Sequence, residues 1–363
     1  MILDRYLARR FAKCLGLAFL AFFVVVALVD LVEHGRRYGD DAGSLGDLFA
    51  LALLNVPQTL YAILPLVTII AAVAMFLALA RSSELVVARG SGRSALRALL
   101  GPAAVAALAG AAAVAALNPI VAATSREHEA RVDRLDGRDS ALALSEDGLW
   151  LRQGDEGGQT VIRAARSNLD GTALTGVTFL TFDAAGRPLE RIEADRATLA
   201  EGAWTLDGAK SWPLDAPNPE AAAEASGRRL LPSTLTADQI RDSFGEPSAI
   251  PVWELPRFIA RLEAAGFAAR RHQVFLHMEL ALPAFLLAML LLAAAFSMRP
   301  QRGRRVGAAV LGAVMAGFAA LSLRNFAQVL GEAGQIAPAL AAWAPPVVAI
   351  LCALALLLHL EEG

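Results

Sequence analysis

Six stretches of this chain are too long and too apolar to be left in water: approximately residues 14–32, 50–80, 96–121, 274–298, 306–326 and 336–360. A helix needs roughly 20 apolar residues to cross about 30 Å of hydrocarbon, and in lipid every backbone polar group must be paired within the segment. The six runs are therefore predicted to be membrane-spanning helices. Composition agrees, with 56% of 363 residues hydrophobic and only 19% charged, well above the apolar share of a water-soluble domain. The first run leads into Asp30 and Glu33 rather than into a small-residue cleavage site, so it reads as a retained helix and not a signal peptide.

The arginines orient the spans, because short cytoplasmic loops hold an excess of Lys and Arg. One side of the predicted bundle carries Arg5, Arg9, Arg10 and Lys13, then Arg81, Arg89, Arg93 and Arg97, then Arg299, Arg302, Arg304 and Arg305. The opposite short loops carry only Arg36, Arg37 and Arg324. Both termini are thus expected in the cytoplasm, with the long loop between spans three and four outside. The net charge of −2 and the lack of a polybasic tail set nucleic acid aside as a partner. Cys14 and Cys352 lie in apolar runs near opposite chain ends, which supports neither a disulfide framework nor a metal site.

The long loop changes character. GLWLRQG, QTVIRAARSN and the stretch from LTGVTFLTF onward alternate apolar and polar residues, with turn signals at Asp183 to Gly186 and at Asp207-Gly208. This pattern predicts short antiparallel strands and an all-β domain of sandwich or jelly-roll-like form. The expected division is residues 1–122 for spans one to three, 123–250 for the β domain, and 251–363 for a lead-in helix and spans four to six. In the lead-in, Leu255, Phe258, Ile259 and Leu262 form the stripe of an amphipathic helix, expected along the outer membrane surface.

No catalytic constellation stands out, and no Gly-Lys pair occurs, so a phosphate-binding loop for ATP is excluded. Charges at the ends of the spans are the candidates for substrate contact, since ionisable groups are costly in lipid and face a cavity or a partner. They are Asp30, Glu33, His34, Arg36 and Arg37 after the first span, Arg271 before the fourth, with His277 and Glu279 just inside it, and Arg324 closing the fifth. Local ion pairing at the interface is the competing reading. As a portal rim they would suit an anionic amphiphile, because arginine holds phosphate bidentately. In span five, Ala308, Gly312, Ala316 and Ala320 recur four apart, beside Ala309, Ala313 and Gly317, a spacing that lets helix backbones approach closely, within the chain or between chains.

Residues 81–94, RSSELVVARGSGRS, interrupt two spans. Ser82 or Ser83 can cap a short helix over residues 82–90 whose first turn holds Glu84, and Gly90 and Gly92 can end it. Leu85, Val86 and Val87 would be bare unless lipid or a soluble partner covers them; a docking helix is the preferred reading.

LDRYLARRF (3–11), VDLVEHGRR (29–37), NVPQTLYAILPLVTIIAA (55–72), ARSSELVVARGSG (80–92), GLWLRQG (148–154) and RRHQVFLHMELALPAF (270–285) together resemble the LptF/LptG permease family of the lipopolysaccharide transport system, its LptG branch more than LptF. The resemblance covers essentially the whole chain, and ARSSELVVARGSG is its most specific part, departing from the family at Gly90-Ser91. It implies six transmembrane helices with an inserted periplasmic β-jelly-roll in the bacterial inner membrane. It also implies pairing with an LptF-like chain over an LptB-like ATPase dimer, with an LptC-like bitopic protein beside span one. ATP would be spent by the partner, and no cofactor is expected on this chain. Carried over, Glu84 is the acidic contact to an ATPase arginine, with Leu85, Val86 and Arg89 as its neighbours. Glu33 and His34 stand where family members place basic substrate contacts. The expected function is that of a non-enzymatic permease half which extracts lipopolysaccharide and passes it to a periplasmic bridge. A membrane-anchored scaffold or sensor whose β domain binds an envelope partner is the alternative.

Overall fold

The helix ends follow from local chemistry. Ser44 accepts a hydrogen bond from the Asp47 amide at 3.2 Å and starts one helix; Ser94 accepts from the Arg97 amide at 3.3 Å and starts the next, each satisfying an amide that has no intrahelical acceptor. The computed structural model describes residues 2–38, 44–82, 84, 94–136, 142–145, 148–155, 158–168, 172–200, 202–233, 247–264, 268–298 and 306–362. Its helices are α1 (Ile2–Tyr38), α2 (Leu45–Arg81), α3 (Ala95–Ala112), α4 (Asn118–Asp136), α5 (Leu255–Ala264), α6 (Arg270–Ser297), α7 (Val306–Glu332) and α8 (Pro338–Glu362); a π-helical turn, Ala113–Leu117, joins α3 to α4. Among the described residues six helical stretches are long and apolar enough to cross a membrane, α3 and α4 together forming the third.

The chain divides into a helical unit, Met1–Leu135 with Ser248–Trp253 and Arg270–Gly363, and a β unit, Asp136–Pro247 with Glu254–Ala269. The helix of the third span does not stop near residue 122 but runs on through α4 to Asp136. An Arg131–Glu127 ion pair at 2.7 Å supports the polar extension, and Val132 and Leu135 pack on Tyr38, Leu48 and Leu51.

Lipid tails are as apolar as leucine, so close approach rather than hydrophobic burial holds spanning helices together. A Cβ on Gly110 would lie 2.5 Å from Pro283 Cα, one on Gly317 2.5 Å from Ile69 Cδ1, and one on Gly101 2.3 Å from the Asp4 carbonyl oxygen. These glycines bring α3 onto α6, α7 onto α2, and α3 onto the first turn of α1. α6 is buried along most of its length from Val274 to Ser297, whereas α1 buries Leu7, Phe11, Val26, His34 and Tyr38 alone, so α6 is the core helix and α1 a peripheral one. On α7 the buried line is Ala313, Gly317 and Ala320, facing its own bundle, while Leu311, Met315 and Phe318 stay exposed.

Among the described residues of the β unit seven strands form one antiparallel sheet in the order of the chain: β1 (Leu142–Ser145), β2 (Gly148–Asp155), β3 (Gly158–Ser167), β4 (Ala173–Asp183), β5 (Pro188–Ala200), β6 (Ala203–Pro213) and β7 (Glu224–Pro232). The inserted all-β domain is as expected, and its strand order, left open by the sequence, is a meander. The sheet curls. Gln153 on β2 donates to the Pro232 carbonyl at the end of β7 at 3.1 Å and accepts from Ser233 at 2.7 Å, whereas five strand spacings in a flat sheet would be about 24 Å. Leu151, Ile162, Phe179, Ile192, Trp204 and Leu206 are buried, with Trp204 and Phe179 edge to face at 6.2 Å.

Two expectations change here. Asp207-Gly208 is not a turn: it lies inside β6, where Gly208 takes φ +68° beneath Asp195, and the pairing with β5 skips between Glu193–Lys210 and Arg196–Asp207. A glycine in the left-handed region lets the strand pass this point and resume the same register with β5 on either side. The amphipathic helix α5 groups with the β unit, with Leu255, Ile259 and Leu262 buried, so its apolar stripe is covered by protein rather than laid against lipid.

Candidate functional site

Polar groups inside the helical unit gather where the helices are irregular. A proline lacks the N–H that would bond the carbonyl four residues earlier; Pro65 thus releases the Tyr61 carbonyl and Pro283 the Glu279 carbonyl. The π-helical turn ends directly before Asn118. These three residues meet. Tyr61 Oη donates a short hydrogen bond to Glu279 Oε2, and Asn118 Nδ2 donates to the same oxygen at 3.1 Å. Asn118 Oδ1 accepts from the Val252 amide at 2.8 Å, and Trp253 Nε1 donates to the Ala115 carbonyl at 3.4 Å within the π-helical turn. Glu279 and Asn118 are buried, so α2, α4, α6 and the segment 248–253 are tied through one carboxyl group. Arg324 on α7 lies in electrostatic reach of Glu279 and Tyr61, with its guanidinium 5.4 Å from the Phe285 ring centroid.

Toward the end of α1 that carries Tyr38, the candidate residues sort onto two faces. Asp30 and His34 turn inward: Asn55 Nδ2 donates to Asp30 Oδ2 at 3.2 Å, and His34 Nε2 lies 3.0 Å from His128 Nε2. The Asp30 carbonyl, 2.7 Å from His34 Nδ1, can only accept. In the neutral imidazole the His34 proton therefore sits on Nδ1, and His128 donates to His34 Nε2. Glu33, Arg36 and Arg37 are exposed, with Arg36 on Glu33 at 3.3 Å and Arg37 stacked 5.1 Å from the Tyr38 ring centroid. Arg271 is half-buried in the first turn of α6. The structure therefore does not gather the candidates into one cluster: Asp30 and His34 join α1 to α2 and α4, the Glu33–Arg37 group rides on the outer face of α1, and Arg324 belongs with Glu279.

At the opposite end, Glu84 is held by the first turns of α1. Arg10 Nη1 donates to both its oxygens at 2.8 Å, and Tyr6 Oη donates to Oε2 at 2.9 Å. The Arg10 hydrogen bond is the largest influence holding the Glu84 carboxyl below the usual glutamate range. Leu85, Val86 and Arg89, the other expected coupling residues, lie outside the described residues. An open apolar cleft of about 380 Å³ adjoins Glu84, bounded by Leu3, Leu7, Phe76, Leu99 and Met298 among others.

Sequence reasoning did not single out Tyr61, Asn118, Tyr6 or Arg10 as site residues. Tyr61 and Asn118 carry a usable signal, being polar side chains within otherwise apolar spans; Tyr6 and Arg10 look like ordinary flanking residues until Glu84 is placed in space.

The family model described as "Lipopolysaccharide export system permease LptF/LptG" matches residues 5–359 of this chain. Among curated proteins, the lipopolysaccharide export system permease protein LptG of Escherichia coli K12 is 23% identical over 328 residues, and that of Haemophilus influenzae 21% identical over 324 residues. In both cases 87% of this chain and 87% of the relative are covered. Six helices fit to span a membrane, an inserted β domain and a match running almost from end to end identify a multi-pass inner-membrane transport subunit, and the chain belongs to the LptF/LptG family of lipopolysaccharide export permeases.

Proposed function

We propose that this chain is the LptG-type half of a permease that lifts lipopolysaccharide out of the inner membrane, working with an LptF-like chain over an LptB-like ATPase dimer. The observation that carries the reading is the family match across residues 5–359, which takes in all six spans and the β unit. Apolar faces left open on α1 and α7, Leu17, Val24 and Leu28 on one and Leu311, Met315 and Phe318 on the other, suit a second permease chain and the lipid tails of a guest. An LptC-like single span packs beside α1. The arginine-rich side faces the cytoplasm, which sets Glu84 and residues 82–90 against the ATPase and the β unit in the periplasm, where it passes lipid to the bridge.

In this mechanism Arg36, Arg37, Arg271 and Arg324 meet the anionic headgroup, as guanidinium groups suit phosphate. Asp30 and His34 act from behind that rim by holding α1 on α2 and α4. Closure of the ATPase dimer presses the coupling segment and narrows the space beside α1 and α7. A photo-crosslinker on α1 tests the substrate side: replacing Arg36 and Arg37 together should lower lipopolysaccharide crosslinking, and an unchanged yield returns them to interfacial anchoring. On the ATPase side, Glu84→Ala should uncouple hydrolysis from transport in a folded protein.

A further inference from the structure

Among the described residues the carboxylate of Glu84 is held by Tyr6 and Arg10 of α1 and by Ser82 at the end of α2. Tyr6 and Arg10 are i, i+4 neighbours on α1 and so share a face, and Arg10 Nη1 also lies 2.5 Å from Tyr6 Oη. The Glu84 side chain remains 37% exposed. That exposure lets a cation on a docked partner reach the carboxylate while Arg10 and Tyr6 still hold it to α1. The grip has a counterpart on α3, where the Asp4 carbonyl oxygen would lie 2.3 Å from a Cβ on Gly101. The first turns of α1 are thus seated between Glu84 and the backbone of α3. A partly exposed ion pair contributes little to folding stability, and the value of this one lies in what it connects.

What it connects is a continuous lever. Between Ile2 and Tyr38 α1 has no proline, and its 37 residues span about 55 Å. Its other end carries Asp30 and His34 on Asn55 and His128. We infer that Tyr6 and Arg10 are positioning residues that fasten Glu84 to the first span, so that force applied to Glu84 by a docked partner moves α1 as a rod and reaches its Asp30–His34 end. This rests on the reading that residues 82–90 dock an ATPase.

The test uses the full transporter, this chain with its permease partner and ATPase, in proteoliposomes containing lipopolysaccharide, and measures lipid extracted per ATP hydrolysed. For Arg10→Ala the ratio is expected to fall about fivefold, the factor equivalent to about 1 kcal/mol for loss of one screened charged contact, with the ATPase still co-purifying. Arg10→Lys, which keeps the charge and a donor, should stay within about twofold of wild type. Tyr6→Phe, which loses one hydroxyl and little volume, should fall between the two and serves where Arg10→Ala does not fold. A wild-type ratio in Arg10→Ala or in Tyr6→Phe, or a lysine variant as impaired as the alanine one, would overturn the inference. Failure of the ATPase to co-purify with the wild-type chain would instead remove the docking reading, and this lever with it.

Discussion

Asn118 offers the sharpest test of how the helical unit is held. Its side chain is 1% exposed, donates to Glu279 Oε2 at 3.1 Å and accepts from the Val252 amide at 2.8 Å. Asn118→Ala removes both bonds. The Val252 amide, on a residue 3% exposed, is then left without an acceptor, at a cost of about 1–3 kcal/mol, and losing the ordinary bond to Glu279 adds about 0.5–1.5 kcal/mol. The expected destabilisation is about 1.5–4.5 kcal/mol. Side-chain hydrogen bonds in membrane bundles average only about 0.6 kcal/mol where an alternative partner exists, so the size of the effect reports whether the site is dry. Tyr61→Phe is the internal control, since it removes a donor to Glu279 but leaves Val252 paired; it should cost less than Asn118→Ala. Equilibrium unfolding in mixed micelles gives the two free energies, and hydrogen exchange at the Val252 amide gives the local readout. Equal costs for the two variants, or undiminished protection of Val252 in Asn118→Ala, would refute the reasoning.

Three further outcomes are expected. Gly110→Ala places a methyl group 2.5 Å from Pro283 Cα, a backbone atom that cannot swing aside, and should cost about 1–3 kcal/mol in the same unfolding assay, whereas Gly35→Ala, with open space around it, should cost less. Glu84 has a depressed folded-state pKa, so the stability it contributes is present above the unfolded value and is lost as pH falls through the folded one. The difference in melting temperature between wild type and Glu84→Gln should therefore persist at neutral pH and vanish only below the ordinary glutamate range; a difference unchanged in acid would count against the Arg10 contact. Trp204→Ala empties a fully buried site beside Phe179 at a cost of about 3–5 kcal/mol, and should expose the β unit to protease while the helical unit resists; uniform cleavage of both would contradict the division into two units.

The six spans were legible because lipid imposes one solution on a long apolar run, and the strands because alternation and the Asp183–Gly186 turn have local causes. The place of Gly208 inside β6 was not, since an Asp-Gly pair signals a turn until the pairings of Lys210 with Glu193 and of Asp207 with Arg196 are known. The tail of α4 was missed for a related reason: it is polar by composition and becomes helical through Arg131–Glu127 and the packing of Val132 and Leu135. Among site residues, Glu84 could be singled out from its segment, but its partners Tyr6 and Arg10 are distant in sequence. Asn118 and Tyr61 illustrate the same limit: each was visible as a polar residue in an apolar run, and neither could be matched to Glu279 before the crossing of α4, α2 and α6 was known. Asp30 and His34 stood beside Arg36 and Arg37 in the sequence, yet the helical period of α1 turns one pair inward and the other out.

The most direct test of the central claim is a pull-down of the intact chain from native membranes, with partners and bound lipid identified. An ATPase subunit, a second permease chain and lipopolysaccharide should be recovered together, and Glu84→Ala should weaken recovery of the ATPase alone. Recovery of the chain with neither an ATPase nor lipopolysaccharide would contradict the claim.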